Sequence, residues 1–106
     1  MATANQVWPI GTDCKVVLSG LKDDAGAYVN DATVVGNLVG LNDAAVTNGS
    51  AISFTYIPAS NGQYEAVIPY NAGTLSGLDY TFVIVATKGA KRATLKMTRP
   101  AQYIEI

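Results

Sequence analysis

The sequence predicts an all-β fold: a single immunoglobulin-like antiparallel β-sandwich of about seven or eight short strands. Strict alternation of apolar and polar residues recurs along the chain, and Asn-Gly and Gly-rich turn signals separate the alternating stretches at roughly 8 to 12 residues. No stretch of useful length carries a helical period, and no internal repeat is present. Of 106 residues 49% are hydrophobic and 14% charged, Glu occurs twice and His never. Val, Thr and Tyr are plentiful, which suits a pleated, half-buried surface. A small barrel is the competing architecture.

Each element follows from its local pattern. In "DCKVVLSGL" (residues 13–21) Cys14, Val16 and Leu18 share one face, the signature of a half-buried strand. In "LKDDAGAYVNDATV" the aspartates read as turn residues that bond local backbone, with Gly26 left-handed, and "VNDATV" launches the next strand. "ATVVGNLVGL" is apolar on both parities, so that strand is expected to be covered on both sides. "TNGS" at 47–50 predicts a tight hairpin leading into "AISFTYI", where Ile52, Phe54 and Tyr56 are in phase. "ASNGQ" turns that strand into "QYEAVIP", with Tyr64, Ala66 and Ile68 inward, so three consecutive strands are expected to form a meander. "YTFVIVAT" places Tyr80, Phe82, Ile84 and Ala86 in phase, and "KGAKR" turns into "ATLKMT", with Ala93, Leu95 and Met97 opposite Thr94, Lys96 and Thr98. Pro100 is expected to interrupt, leaving "QYIEI" as a last short edge strand.

One stretch carries finer information. A tyrosine opening a strand after the short loop "LSGLD" resembles the tyrosine corner of immunoglobulin-like sandwiches, in which the hydroxyl bonds back to upstream backbone. Tyr80 is the candidate.

Composition excludes several function classes. The length fits one domain, residues 1–106, with one core. Cys14 is the lone cysteine, so there is neither an intramolecular disulfide nor a second thiol or histidine for zinc. The amino end lacks the basic and apolar regions of a signal peptide, and no apolar run approaches the ~20 residues that span a bilayer. A cytoplasmic site of synthesis and no membrane partner are therefore expected. Net charge is −1, but five of the seven basic residues lie between Lys88 and Arg99 with no acid among them, while five of the eight acids lie between Asp13 and Asp43.

Asp23, Asp24 and Asp31 are weak calcium candidates, because the carboxylate order of an EF-hand loop is absent and no glutamate precedes Glu65. Catalysis is not expected: there is no histidine base, Ser76 of "GTLSG" does not sit centrally, the two glutamates stand 40 positions apart, and Cys14 falls on an inward parity. "NGS" at Asn48 is formally a glycosylation sequon, here read as turn. No cofactor is expected. Lys88, Lys91, Arg92 and Lys96 form a basic row that would suit an acidic protein surface, or would guard a strand edge. No aromatic interleaves on that face, so nucleic acid is not the expected partner.

The pattern "GLKDDAGAYVNDATV", then "YIPASNGQYEAVIP", then "LSGLDY" resembles small immunoglobulin-like proteins encoded among the structural genes of tailed bacteriophages and prophages. The resemblance covers roughly residues 14–87 and rests on fold-defining positions: Gly26, Tyr28, Asn30, Asp31, Ala32, Val34, Gly62, Tyr64, Gly77 and Tyr80. It carries no catalytic residue. It implies a virion structural or accessory protein, a capsid decoration or a connector or tail piece, that contacts other virion proteins or itself. Residues 1–11 and 99–106, which carry apolar Trp8, Tyr103, Ile104 and Ile106, stand either as candidate assembly arms that bind by strand addition or as the sandwich's own edge strands. Two other classes compete. One is an adhesive or carbohydrate-binding sandwich with a platform drawn from Trp8, Tyr28, Tyr56, Tyr70 and Tyr103; the other is a bacterial cytoplasmic module that captures one protein partner.

Overall fold

Two sheets stack around one hydrophobic core in a computed structural model that describes residues 7–103. The strands are β1 (Trp8–Pro9), β2 (Cys14–Leu18), β3 (Thr33–Val39), β4 (Ile52–Ser53), β5 (Thr55–Tyr56), β6 (Tyr64–Ile68), β7 (Asp79–Lys88) and β8 (Lys91–Gln102). A five-stranded sheet runs in the order β1-β8-β7-β3-β4 and a three-stranded sheet in the order β2-β6-β5. All ladders are antiparallel except β1 with β8, which makes the large sheet mixed. The chain is thus an all-β sandwich, with eight strands among the described residues.

Alternation decides what is inside. Val16 on β2, Val34 and Leu38 on β3, Tyr64, Ala66 and Ile68 on β6, and Tyr80, Phe82, Ile84 and Ala86 on β7 all point into the core. Gly36 keeps the inward parity of β3 because the ring of Phe82 lies where its side chain would be. The Tyr80 hydroxyl accepts a hydrogen bond from the Leu75 backbone N–H at 2.9 Å, closing the corner between the 70–79 connection and β7.

Three expectations need correction. "AISFTYI" is not one strand, because Phe54 carries the chain between sheets: β4 pairs with β3 and β5 with β6, so the meander is split across the sandwich. Ile52, Phe54 and Tyr56 keep the same inward phase throughout, which is why periodicity does not register the switch. "TNGS" is not a two-residue hairpin. The β3–β4 connection runs from Gly40 to Ala51 through a 3-10 turn at Leu41–Asp43, and at 46–49 only Asn48 has positive φ, with Gly49 N–H bonded to Val46 O.

Pro100 does not end β8. Ala101 exchanges its backbone bonds with Leu78 and Gly77 on the β7 side, so by the alternation of a strand Pro100 faces the other way, where among the described residues no ladder N–H is lost. Of the two readings of residues 1–11 and 99–106, the edge-strand one holds where they are described. Trp8 and Pro9 pair with Ala101 and Gln102, and Ile10 N–H bonds Gln102 O at 3.0 Å, so β1 adds a short edge strand to the large sheet. Ile104 and Ile106 lie outside the described residues.

Candidate functional site

The acidic stretch and the basic stretch, separated by more than half the chain, meet at one end of the sandwich. Residues 22–28 form a small hairpin held by a Lys22–Tyr28 bridge and by Asp23, whose carboxylate accepts the backbone N–H groups of Ala25 and Ala27, each at 2.9 Å. This is the aspartate turn, with Gly26 at φ +84. Lys22 Nζ lies 4.9 Å from the centre of the Tyr28 ring, which keeps that ring at the surface as a cation–π partner.

The hairpin is tied down behind its tip. The Tyr64 hydroxyl donates to Val29 O at 2.7 Å and accepts from Ala32 N–H at 3.1 Å, while Asn30 Oδ1 accepts from Gly62 N–H at 2.8 Å. Leu21 N–H bonds Gly62 O at 2.9 Å. Four residues named from the sequence as fold-defining, Asn30, Gly62, Tyr64 and Gly26, therefore work on one loop. Gly77 acts elsewhere, donating its N–H to Ala101 O.

Opposite stands the β7–β8 hairpin tip. Lys88 pairs with Asp31 at 2.7 Å and Lys91 pairs with Asp24. Between the two hairpins is a cleft of about 870 Å³ with a floor of Leu21, Val29, Ala32, Ala86 and Ala93 and a charged rim. Of the floor residues only Ala32 falls at a motif position and none is charged, so the sequence offered no signal for the cleft beyond the segregation of its acids and bases.

The calcium candidates are engaged otherwise. Asp23 serves the turn, Asp24 and Asp31 serve lysines, and among the described residues no three Asp, Glu, Cys or His side chains converge on a point. The hydrogen bond from Lys88 holds the Asp31 carboxyl below the ordinary aspartate range, and Asp31 in turn raises Lys88. Both partners are solvent-exposed, so water and salt screen the pair. The Asp31 contribution is present above the ordinary aspartate pKa and is lost as pH falls through its lowered value. That of Lys88 is present below the ordinary lysine pKa and is lost as pH rises through its raised one. An NMR pH titration should place the Asp31 carboxyl midpoint below the ordinary value, and Lys88→Met should return it there.

The remaining candidates separate. Arg92 and Lys96 lie on the outer face of β8, where they make no ion pair with any described acid, and Thr98 shares a 2.8 Å hydroxyl contact with Thr81 on the same face. Trp8 is not a surface contact: it is 2% exposed, its Nε1–H donates to Tyr80 O at 2.9 Å, its ring meets Phe82 edge to face, and the Arg99 guanidinium covers it at 4.7 Å. Tyr103 is 65% exposed, at the far end of β8 from the cleft. Cys14, half-buried at the start of β2, has its thiol pKa pushed up by burial, partly offset by Arg99. It should react with a disulfide reagent at pH 8 several-fold more slowly than free cysteine, and as fast as free cysteine once the protein is unfolded.

No protein-family model matches the chain, and neither a curated protein nor a solved structure matches it.

Proposed function

We propose that this sandwich is of the immunoglobulin-like kind and serves as a non-enzymatic structural or accessory component of a tailed-phage particle, a capsid decoration or a connector or tail piece, working through protein contacts. The phage assignment draws on the turn and core pattern around Gly26, Tyr28, Asn30, Gly62, Tyr64 and Tyr80, and the immunoglobulin-like label on the tyrosine corner at Tyr80.

The observation that carries a contact role is the state of the surface. Asp13, Asp23, Asp24, Asp31 and Glu65 are engaged in backbone bonds or lysine pairs, while β8, among the described residues, presents an open edge from Arg92 to Thr98 and a basic face without an ion pair. A surface built this way favours binding over proton transfer. The carbohydrate-binding reading is less favoured, because its aromatics disperse. Trp8 is buried, Tyr56 packs against Tyr64, and Tyr28 and Tyr103 sit at opposite ends of β8, roughly 35 Å apart at strand rise.

Quantitative mass spectrometry of purified particles tests the proposal. The protein is expected in fixed, multi-copy ratio to the major capsid or tail protein. Its absence from intact particles would sink the reading.

A further inference from the structure

We propose that the open edge of β8, from Arg92 to Thr98, is a strand-addition site for an extended segment of a partner protein in which acidic and small apolar side chains alternate. The inference takes up the contact role proposed above and rests on that reading. Particle composition tests that role, whereas the experiment below tests only the edge, so the two can fail separately.

The edge is defined by the ladder. β7 and β8 pair without a bulge from Asp79↔Pro100 to Lys88↔Lys91, and Ala101 directs its backbone groups to the β7 side. Odd-numbered residues of β8 therefore serve β7, and the N–H and C=O groups of Arg92, Thr94, Lys96 and Thr98 point away from it. Gln102 confirms the parity, since its carbonyl accepts from Ile10 on the β1 side. β1 covers only Ala101 and Gln102, so among the described residues nothing pairs with β8 from Arg92 to Thr98.

This edge differs from the others. β1, β4 and β5 are two residues long, a length that offers an incoming strand almost nothing, and β2 has five residues. β8 runs for twelve, and from Arg92 to Lys96 every residue is exposed on both faces. Its inward parity there, Ala93 and Leu95, lies beyond the cover of the small sheet, with Leu95 45% exposed.

The two faces specify the occupant. On the outer face Arg92 and Lys96 lack an acidic partner among the described residues, and a directly opposite acid is the favourable cross-strand neighbour. On the inner face an added strand would lie beside Ala93 and Leu95, where apolar side chains would shield them from water. Side chains alternate, so both demands are met by one acidic–apolar segment. A second copy of this chain fits poorly, because antiparallel β8–β8 pairing would bring the Arg92 and Lys96 rows together.

The probe is a fluorescein-labelled, amidated eight-residue peptide alternating Glu with Val, titrated into the full chain and followed by anisotropy and by amide exchange. Saturable binding is expected, with exchange slowed at the Arg92, Thr94, Lys96 and Thr98 amides and unchanged at Ala93 and Leu95. Arg92→Glu with Lys96→Glu should weaken binding about tenfold or more. Thr94→Pro removes one edge-facing N–H on the parity that Pro100 already occupies, and should abolish binding while near-UV dichroism stays native. Thr94→Ala should bind as the parent does. Native-like Thr94→Pro that still binds overturns the proposal. So do even-residue amides already protected before peptide is added, which would mean the chain covers its own edge, and a sedimenting dimer with the same protection, which would make the occupant a second copy. Should Thr94→Pro fail to fold, the exchange pattern and the charge-reversal variant decide alone.

Discussion

Trp8→Ala is expected to destabilise the fold by about 3–5 kcal/mol, the range for removing a buried tryptophan. At about 4–8 °C per kcal/mol for a domain of this size, thermal unfolding would fall by 12 °C at the very least, as a ~12 °C lower bound. Three contacts are lost together: the edge-to-face packing on Phe82 at 5.9 Å, the Arg99 stack, and the indole N–H bond to Tyr80 O. Phe82 is fully buried and has Phe54 on another side at 6.0 Å, so the core cannot collapse into the space without moving its central ring. Trp8→Phe keeps most of the packing and loses only the indole bond to Tyr80 O, a carbonyl that stays paired with Arg99 in the ladder, and should cost about 0.5–1.5 kcal/mol. Denaturant melts of the three proteins check the order. A Trp8→Ala variant as stable as the parent would restore the view of residues 1–11 as an assembly arm rather than part of the core.

How far the sequence revealed this fold depended on the range of the interaction. The inward sets of β2, β6 and β7 were legible because alternation along a strand is local, and so was the Asp23 turn, whose bonds reach only Ala25 and Ala27. The Tyr80 corner spans five residues and was legible too. The sheet switch at Phe54 was not, because a strand keeps its parity whichever neighbour it pairs with. Pro100 was misjudged because its tolerance depends on which side of β8 faces β7, a matter of pairing register. Trp8 was misplaced for a related reason: a two-residue strand has no period to read, and its burial comes from a parallel partner more than 90 positions on.

The candidate site was half legible. The separation of acids and bases along the chain was plain, but its resolution into Lys88–Asp31 and Lys91–Asp24 needed the two hairpins to reach the same end of the sandwich. The basic row divided in a way composition could not foresee. Lys88 and Lys91 neutralise the loop, while Arg92 and Lys96 on β8 pair with no acid among the described residues.

Gly62→Ala is the second large effect, and its size can be separated into parts. Gly62 has φ +66, and a Cβ built there would sit 2.5 Å from Leu21 O and 2.7 Å from Leu21 N. These are backbone atoms, themselves bonded across the same contact through Leu21 N–H and Gly62 O, so neither side can give without opening the tie between the 21–32 loop and β6. Gly26 supplies the control: its φ is +84, yet nothing lies within 4 Å of its Cβ position. Gly26→Ala should therefore show only the left-handed strain, about 1–2 kcal/mol, offset in part by the ~0.4–1 kcal/mol gained from a stiffer unfolded chain. Gly62→Ala carries the same strain and adds the collision, for a total of about 3 kcal/mol or more. The collision also predicts where the damage falls. Amide exchange should accelerate at Leu21, Val29 and Ala32, which depend on the Gly62, Asn30 and Tyr64 ties, and should stay native in β7 and β8. Equal losses in the two variants would mean that the 21–32 loop is held by its aspartate turn alone, and that its docking on β6 contributes nothing.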